Sequence, residues 1–182
     1  MKDMIKALTE TVRGRVIIAS DPDYDDARAV YNAMHDRRPH AVVQCTDSAD
    51  VMAVIAAARD SGVDLAIRGG GHSVPGFGTV DNGLVIDLSP MKGVWVDPAK
   101  KVARVGRGAS LGDVDHATYP FGLAAPGGIV STTGVAGLAL GPHNGAEGPD
   151  AVEDRAHGAG PQRGRAVDPV LAGAERHHRQ QE

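Results

Sequence analysis

The chain has 182 residues, which suits roughly one domain at about 100–200 residues each. Its 19 Lys and Arg against 23 Asp and Glu leave a net charge of −4, which argues against a general nucleic-acid binder, because such a protein needs a basic stripe to displace counterions. The 42% apolar content is enough for a core, while the mean hydropathy of −0.20 and the lack of any apolar run near the roughly 18–20 residues of a bilayer crossing argue against a membrane partner.

The N-terminus carries charges through its first turn and no apolar h-region, so a cytoplasmic location is expected. Residues 1–38 read as a charged, helical segment. Within it Arg15-Val16-Ile17-Ile18 can form a short strand. Asp21-Pro22 then marks a helix start, and Ala27, Val30, Tyr31 and Met34 follow the i, i+3, i+4, i+7 spacing of one buried helix face.

Residues 39–141 alternate strand and helix signals. Positions 40–45 form a short apolar run after Pro39, and Ser48 is placed to cap a helix whose apolar face is Val51, Val54, Ile55 and Ala58 and whose end is Gly62. Leu65-Ala66-Ile67 reads as the next strand. This β-α-β unit predicts two parallel strands lying side by side. Three short strands at 84–88, 93–96 and 101–105, separated by Ser89-Pro90 and Asp97-Pro98, read as antiparallel. A helix is expected after Ser110. The expected fold class is α+β, a small parallel βαβ piece beside a short-stranded antiparallel piece.

Residues 142–182 have a different composition. From 141 onward the only Val, Ile, Leu, Met or aromatic residues are Val152, Val167, Val170 and Leu171, and the basic side chains are all Arg or His. Such a stretch buries too little apolar surface to offset the entropy of ordering, so a disordered tail is expected. Its histidines, His143, His157, His177 and His178, lack ligand spacing, and the lone Cys45 permits no disulfide and no cysteine-based zinc cluster. No metal site is expected.

Two glycine-rich stretches carry the chemistry. The first, Arg68-Gly69-Gly70-Gly71-His72-Ser73-Val74-Pro75-Gly76-Phe77-Gly78, follows a predicted strand. Three glycines in a row let backbone N–H groups approach an anion closely, and Ser73 adds a hydroxyl; a diphosphate is a natural guest. The same pattern also suits a plain flexible loop. The second stretch, 125–141, mixes glycines, small apolar residues and the hydroxyls of Ser131, Thr132 and Thr133 without a charge. It suits either a wall for a flat ring system or a tightly packed core segment.

Arg68-Gly69-Gly70-Gly71-His72-Ser73, then Val85-Ile86-Asp87-Leu88-Ser89-Pro90-Met91, Gly108-Ala109, and Gly134-Val135-Ala136-Gly137-Leu138 with Leu140-Gly141 occur in one order that resembles the PCMH-type FAD-binding domain of the vanillyl-alcohol oxidase/p-cresol methylhydroxylase superfamily, nearest to the berberine bridge enzyme-like oxidoreductases. Tyr24, Arg28, Asn32 and Arg38-Pro39 match the opening of that family. The resemblance covers about residues 14–141.

The resemblance implies FAD as cofactor, held by Arg68, Gly69, Gly70, Gly71, His72, Ser73, Val74, Gly76, Phe77 and Gly78 around the diphosphate and by Gly127, Gly128, Ser131, Thr132, Thr133, Gly134 and Val135 along the ring. His72 matches the residue that carries a covalent link to the flavin 8α-methyl group. The cysteine that makes a second link in some members is matched here by Val130, so Cys45 is expected to be a small core residue. Hydride transfer to FAD from an alcohol, sugar or amine substrate is implied, with oxygen as acceptor. The family's glycine run and Asp-Asn element after Gly141 are missing. The chain is therefore expected to hold a partial FAD-binding domain at 39–141, a non-homologous or frame-shifted ending at 142–182, no nameable catalytic base and no activity by itself. A non-enzymatic nucleotide-binding remnant is the alternative.

Overall fold

The computed structural model describes residues 1–140. Its elements in chain order are α1 (Lys2–Thr11), β1 (Arg15–Ile18), α2 (Tyr24–Arg28), β2 (Ala41–Gln44), α3 (Ser48–Ser61), β3 (Leu65–Arg68), β4 (Leu84–Asp87), β5 (Val94–Asp97), β6 (Val102–Val105), α4 (Leu111–Thr118), a 3-10 turn (Tyr119–Phe121) and α5 (Val135–Leu140). The disordered tail expected at 142–182 lies outside the described residues.

The main sheet has the order β1-β2-β4-β3. β1 runs antiparallel to β2, while β4 is parallel to both β2 and β3. Two expectations are corrected here. The strands of the βαβ unit are parallel but not adjacent, and β4 belongs to the parallel sheet rather than to an antiparallel group with β5 and β6. The cause is burial. Leu84, Val85 and Ile86 are all fully buried, and a strand that is apolar on both faces is most stable in the middle of a covered sheet. β3, with Ile67 55% exposed, takes the edge. β5 and β6 do form the expected antiparallel pair, with Val94 opposite Val105.

Alternation along the strands builds a core on each face of the sheet. Ala41, Val43, Cys45, Leu84 and Ile86 face Leu8 and Val12 from the α1 side and Val54 and Ala58 of α3. Ile17, Val42, Ala66 and Val85 face Tyr24 on the other side. Cys45 is buried in the first of these cores, as expected, and burial pushes its thiol up to about 12, which keeps it out of thiolate chemistry.

Local signals at the helix ends mostly hold. α3 ends at Gly62 in the left-handed conformation, φ 64°. Its N-cap is Asp47 and not Ser48: the Asp47 carboxylate accepts from the N–H groups of Ala49 and Asp50, and Ser48 is already helical. α4 is capped by Ser110 in a reciprocal capping box with Asp113. The helix expected through Ala27, Val30, Tyr31 and Met34 does not form. α2 stops at Arg28, Ala29 is extended, and Tyr31 and Met34 are 68% and 88% exposed. Carbonyls that would continue the helix are taken instead by a side chain from β3, described next.

Candidate functional site

β3 and β4 run parallel and end side by side at Arg68 and Asp87. Ligands of parallel sheets bind beyond such carboxyl-terminal strand ends, where the loops diverge. Arg68 closes the floor of this region. Its guanidinium donates to Ala27 O at 2.6 Å, Ala29 O at 3.0 Å and Asp87 Oδ2 at 2.9 Å, and it is only 7% exposed. Asp87 Oδ1 in turn accepts from Ser89 N at 2.9 Å. Arg68 was expected among the ligand-contacting residues, but its side chain is committed to the protein. It roots the loop and draws the 27–31 segment against it.

The loop 69–78 rises from that root. Among the described residues the N–H groups of 69–74 donate to no backbone or side-chain acceptor, and the segment 68–78 contains no carboxylate. Gly71 sits at φ 72°, a turn that L side chains rarely adopt. Further along, Ser73 O and Oγ accept from Gly76 N and Phe77 N at 3.1 and 3.0 Å, which closes a small turn. Val74 and Phe77 are each 75% exposed, and Gly78 lies against the Arg68 side chain.

The second stretch meets the first directly. A Cβ on Gly70 would lie 2.3 Å from Gly134 N and 2.7 Å from Thr132 O, so the two backbones touch only because glycine stands at both positions. This approach is pinned from the α4 side. Leu111 N donates to Thr133 O, Gly112 N to Ser131 O and Val135 N to Ala109 O, at 2.8–3.0 Å. Gly127 and Gly128 pack on Leu111, while Ser131 and Thr132 keep their side chains exposed. His72 bridges the two stretches: its Nε2 is 2.8 Å from the Thr132 hydroxyl.

Residues outside the expected set complete the surroundings. The Tyr31 ring stacks on the His72 imidazole, centroids 4.0 Å apart and planes at 21°, and Tyr31 N donates to Gly71 O at 3.1 Å. Val74 O accepts from His35 Nε2 at 2.8 Å and from Asn32 Nδ2 at 3.5 Å. Arg37 holds the far end of the loop through Thr79 O at 2.8 Å and Gly76 O at 3.3 Å. Helical periodicity placed Tyr31 in a core; only the match of neighbouring Asn32 to the family's opening hinted at this segment's part.

A row of unpaired amides in a segment without acidic residues is suited to an oxygen-rich anion. A small-residue wall beside it is suited to a planar ring. The family model described as FAD binding domain matches residues 39–155.

The chain belongs to the FAD-binding domain family.

Relatives of this FAD-binding domain are FAD-linked oxidoreductases. It is 41% identical over 128 residues to the FAD-linked oxidoreductase YgaK of Bacillus subtilis, covering 70% of this chain and 28% of that protein. It is 35% identical over 130 residues to (R)-6-hydroxynicotine oxidase of Paenarthrobacter nicotinovorans, covering 71% and 28%. Among solved structures, the BBE-like 1 protein of Physcomitrella patens superposes with a TM-score of 0.70 at 34% identity, over 75% of this chain and 30% of that one. The chain thus spans under a third of the length of the relatives it matches. Within the described residues, no helix is long and apolar enough to cross a membrane.

The residues present fit the cofactor. The unpaired amides of 69–74 suit the FAD diphosphate, and the Gly70–Gly134 approach brings the uncharged 127–135 stretch up against the glycine loop.

Proposed function

We propose that this domain serves a flavin-dependent oxidoreductase that oxidises an alcohol, sugar or amine substrate, with oxygen as the acceptor. The (R)-6-hydroxynicotine oxidase and a glucose-oxidising grass pollen allergen among its relatives support that substrate range. Bound FAD supplies a two-electron acceptor at flavin N5. The part of this chain is to bind and orient. The N–H groups of 69–74, with the Ser73 hydroxyl, Val74, Gly76, Phe77 and Gly78 around them, hold the diphosphate. Gly127, Gly128, Ser131, Thr132, Thr133, Gly134 and Val135 line the ring, and Arg68 keeps the loop in place from below. His72 is the covalent attachment point at the flavin 8α-methyl group. The observation that carries this reading is the meeting of the two glycine stretches with an imidazole set between them.

We assign no substrate base to the described residues. By itself the chain binds FAD weakly and turns over no substrate, a reading supported by the open wall at Ile129, Ser131 and Thr132, where Ile129 is wholly exposed. A nucleotide-binding module without chemistry is the second reading, favoured by the same exposure. Titrating the purified chain with FAD and then precipitating it with acid separates the two. Flavin fluorescence that stays with the precipitate, and is lost in His72→Ala, supports the covalent flavoprotein. Quenching of FAD fluorescence that is fully reversed by acid leaves the binding module. A chain that leaves FAD fluorescence unchanged overturns both.

A further inference from the structure

His72 is held from two sides that no cofactor contact requires. One ring face lies on Tyr31, and Nε2 is bonded to Thr132 Oγ1, so ring plane and rotation are both set before any ligand arrives. Among the described residues Nδ1 has no hydrogen-bond partner. An imidazole has one protonated and one basic nitrogen, and a bond at one nitrogen decides which is which.

We propose that Thr132 and Tyr31 are positioning residues for covalent attachment: Thr132 Oγ1 accepts the Nε2 proton, Tyr31 fixes the ring plane, and Nδ1 is left as the nucleophilic nitrogen. This inference rests on the reading of His72 as the attachment point. The step balances as follows. Nδ1 forms a bond to the carbon of the flavin 8α-methyl group and one C–H bond of that methyl breaks, releasing its proton. The Nε2 proton leaves across Thr132 Oγ1. The two electrons set free enter the flavin ring and pass with two protons to dioxygen, giving hydrogen peroxide. The stack serves the same end, since a ring pinned on one face exposes the other and keeps Nδ1 in one direction. Tyr31 is tied to the loop by its own N–H bond to Gly71 O, so loop and stacking partner move together.

The test compares the full chain with Thr132→Val, Thr132→Ser, Tyr31→Leu, Tyr31→Phe and His72→Ala. Three quantities are read: reversible FAD affinity, the rate at which flavin becomes acid-stable, and the nitrogen linked in the flavinyl peptide. At FAD concentrations that saturate each protein, Thr132→Val is expected to slow attachment of the bound flavin about five- to tenfold, the worth of one neutral hydrogen bond, with both nitrogens linked where the parent links Nδ1 alone. Thr132→Ser and Tyr31→Phe restore the parent behaviour, and Tyr31→Leu slows attachment without mixing the isomers. A parent link at Nε2, or a Thr132→Val protein with unchanged rate and isomer, overturns the inference. Acid-stable flavin that survives in His72→Ala overturns the reading beneath it instead. The tautomer of His72 in the flavin-free chain, read by imidazole nitrogen-15 NMR, decides the matter without any cofactor. A single Nε2–H form that becomes mixed in Thr132→Val supports the inference, and an identical mixture in both proteins sinks it.

Discussion

Arg68 and Asp87 form a buried ion pair, Nη2 to Oδ2 at 2.9 Å, that ties the end of an edge strand to the end of its central neighbour. Both side chains are more than nine-tenths buried. The same guanidinium captures two carbonyls of the 27–29 segment, so one residue joins the sheet, the loop root and the segment that carries Tyr31.

Removing one partner therefore leaves a charge without compensation in the interior. Arg68→Met is expected to destabilise the domain by about 3–5 kcal/mol, read as a lowered urea midpoint, and to weaken FAD binding further. The double variant with Asp87→Leu should recover part of that loss. A single variant with the parent's midpoint would show that the pair does not hold the loop.

Gly70→Ala tests the contact between the two glycine stretches. The added Cβ would meet Gly134 N at 2.3 Å, and backbone cannot give way as a flexible side chain does. Forcing such an overlap costs about 1–3 kcal/mol. Gly62→Ala serves as a control with strain but no clash, since nothing lies within 4 Å of its Cβ position. Only the Gly70 variant should lose FAD affinity in fluorescence titration and lose the His72–Thr132 contact.

Asp50 predicts a pH dependence. Burial alone would push its carboxyl up, but the N–H groups of Thr46, Arg13 and Gly14 and the Thr46 hydroxyl together hold it below the ordinary value of 3.8. A depressed carboxyl stabilises the fold above the unfolded-state value and loses that contribution as pH falls through the folded-state value. Asp50 thus supports the junction of α1, β1 and α3 at neutral pH and releases it in acid below about 3.8. Acid unfolding followed by circular dichroism should be shallower in this range for Asp50→Asn, with stability at pH 7 already reduced. A curve that keeps the parent's slope would contradict the assignment.

Several features were legible without coordinates because their causes are local. The helix end at Gly62, the helix start at Ser110 and the antiparallel β5–β6 pair each depend on a few neighbouring residues. Ser48 was misread for an equally local reason: Asp47 and Ser48 are both good caps, and only the backbone angle decides between them. The helix through Tyr31 was misread because its periodicity is real, yet the carbonyls of Ala27 and Ala29 are claimed by a guanidinium about forty residues away.

The linear chain determined the resemblance that pointed to FAD, because the order of its glycine, histidine and hydroxyl motifs is a property of the sequence. It also determined that two glycine stretches would matter. Tertiary structure decided that these stretches touch, that β4 slips between β2 and β3, that Arg68 turns inward and that Tyr31 lies on His72. Each of these is a choice among partners distant in sequence. Such choices follow from which surfaces can be buried together, and burial is a property of the assembled layers rather than of any one segment.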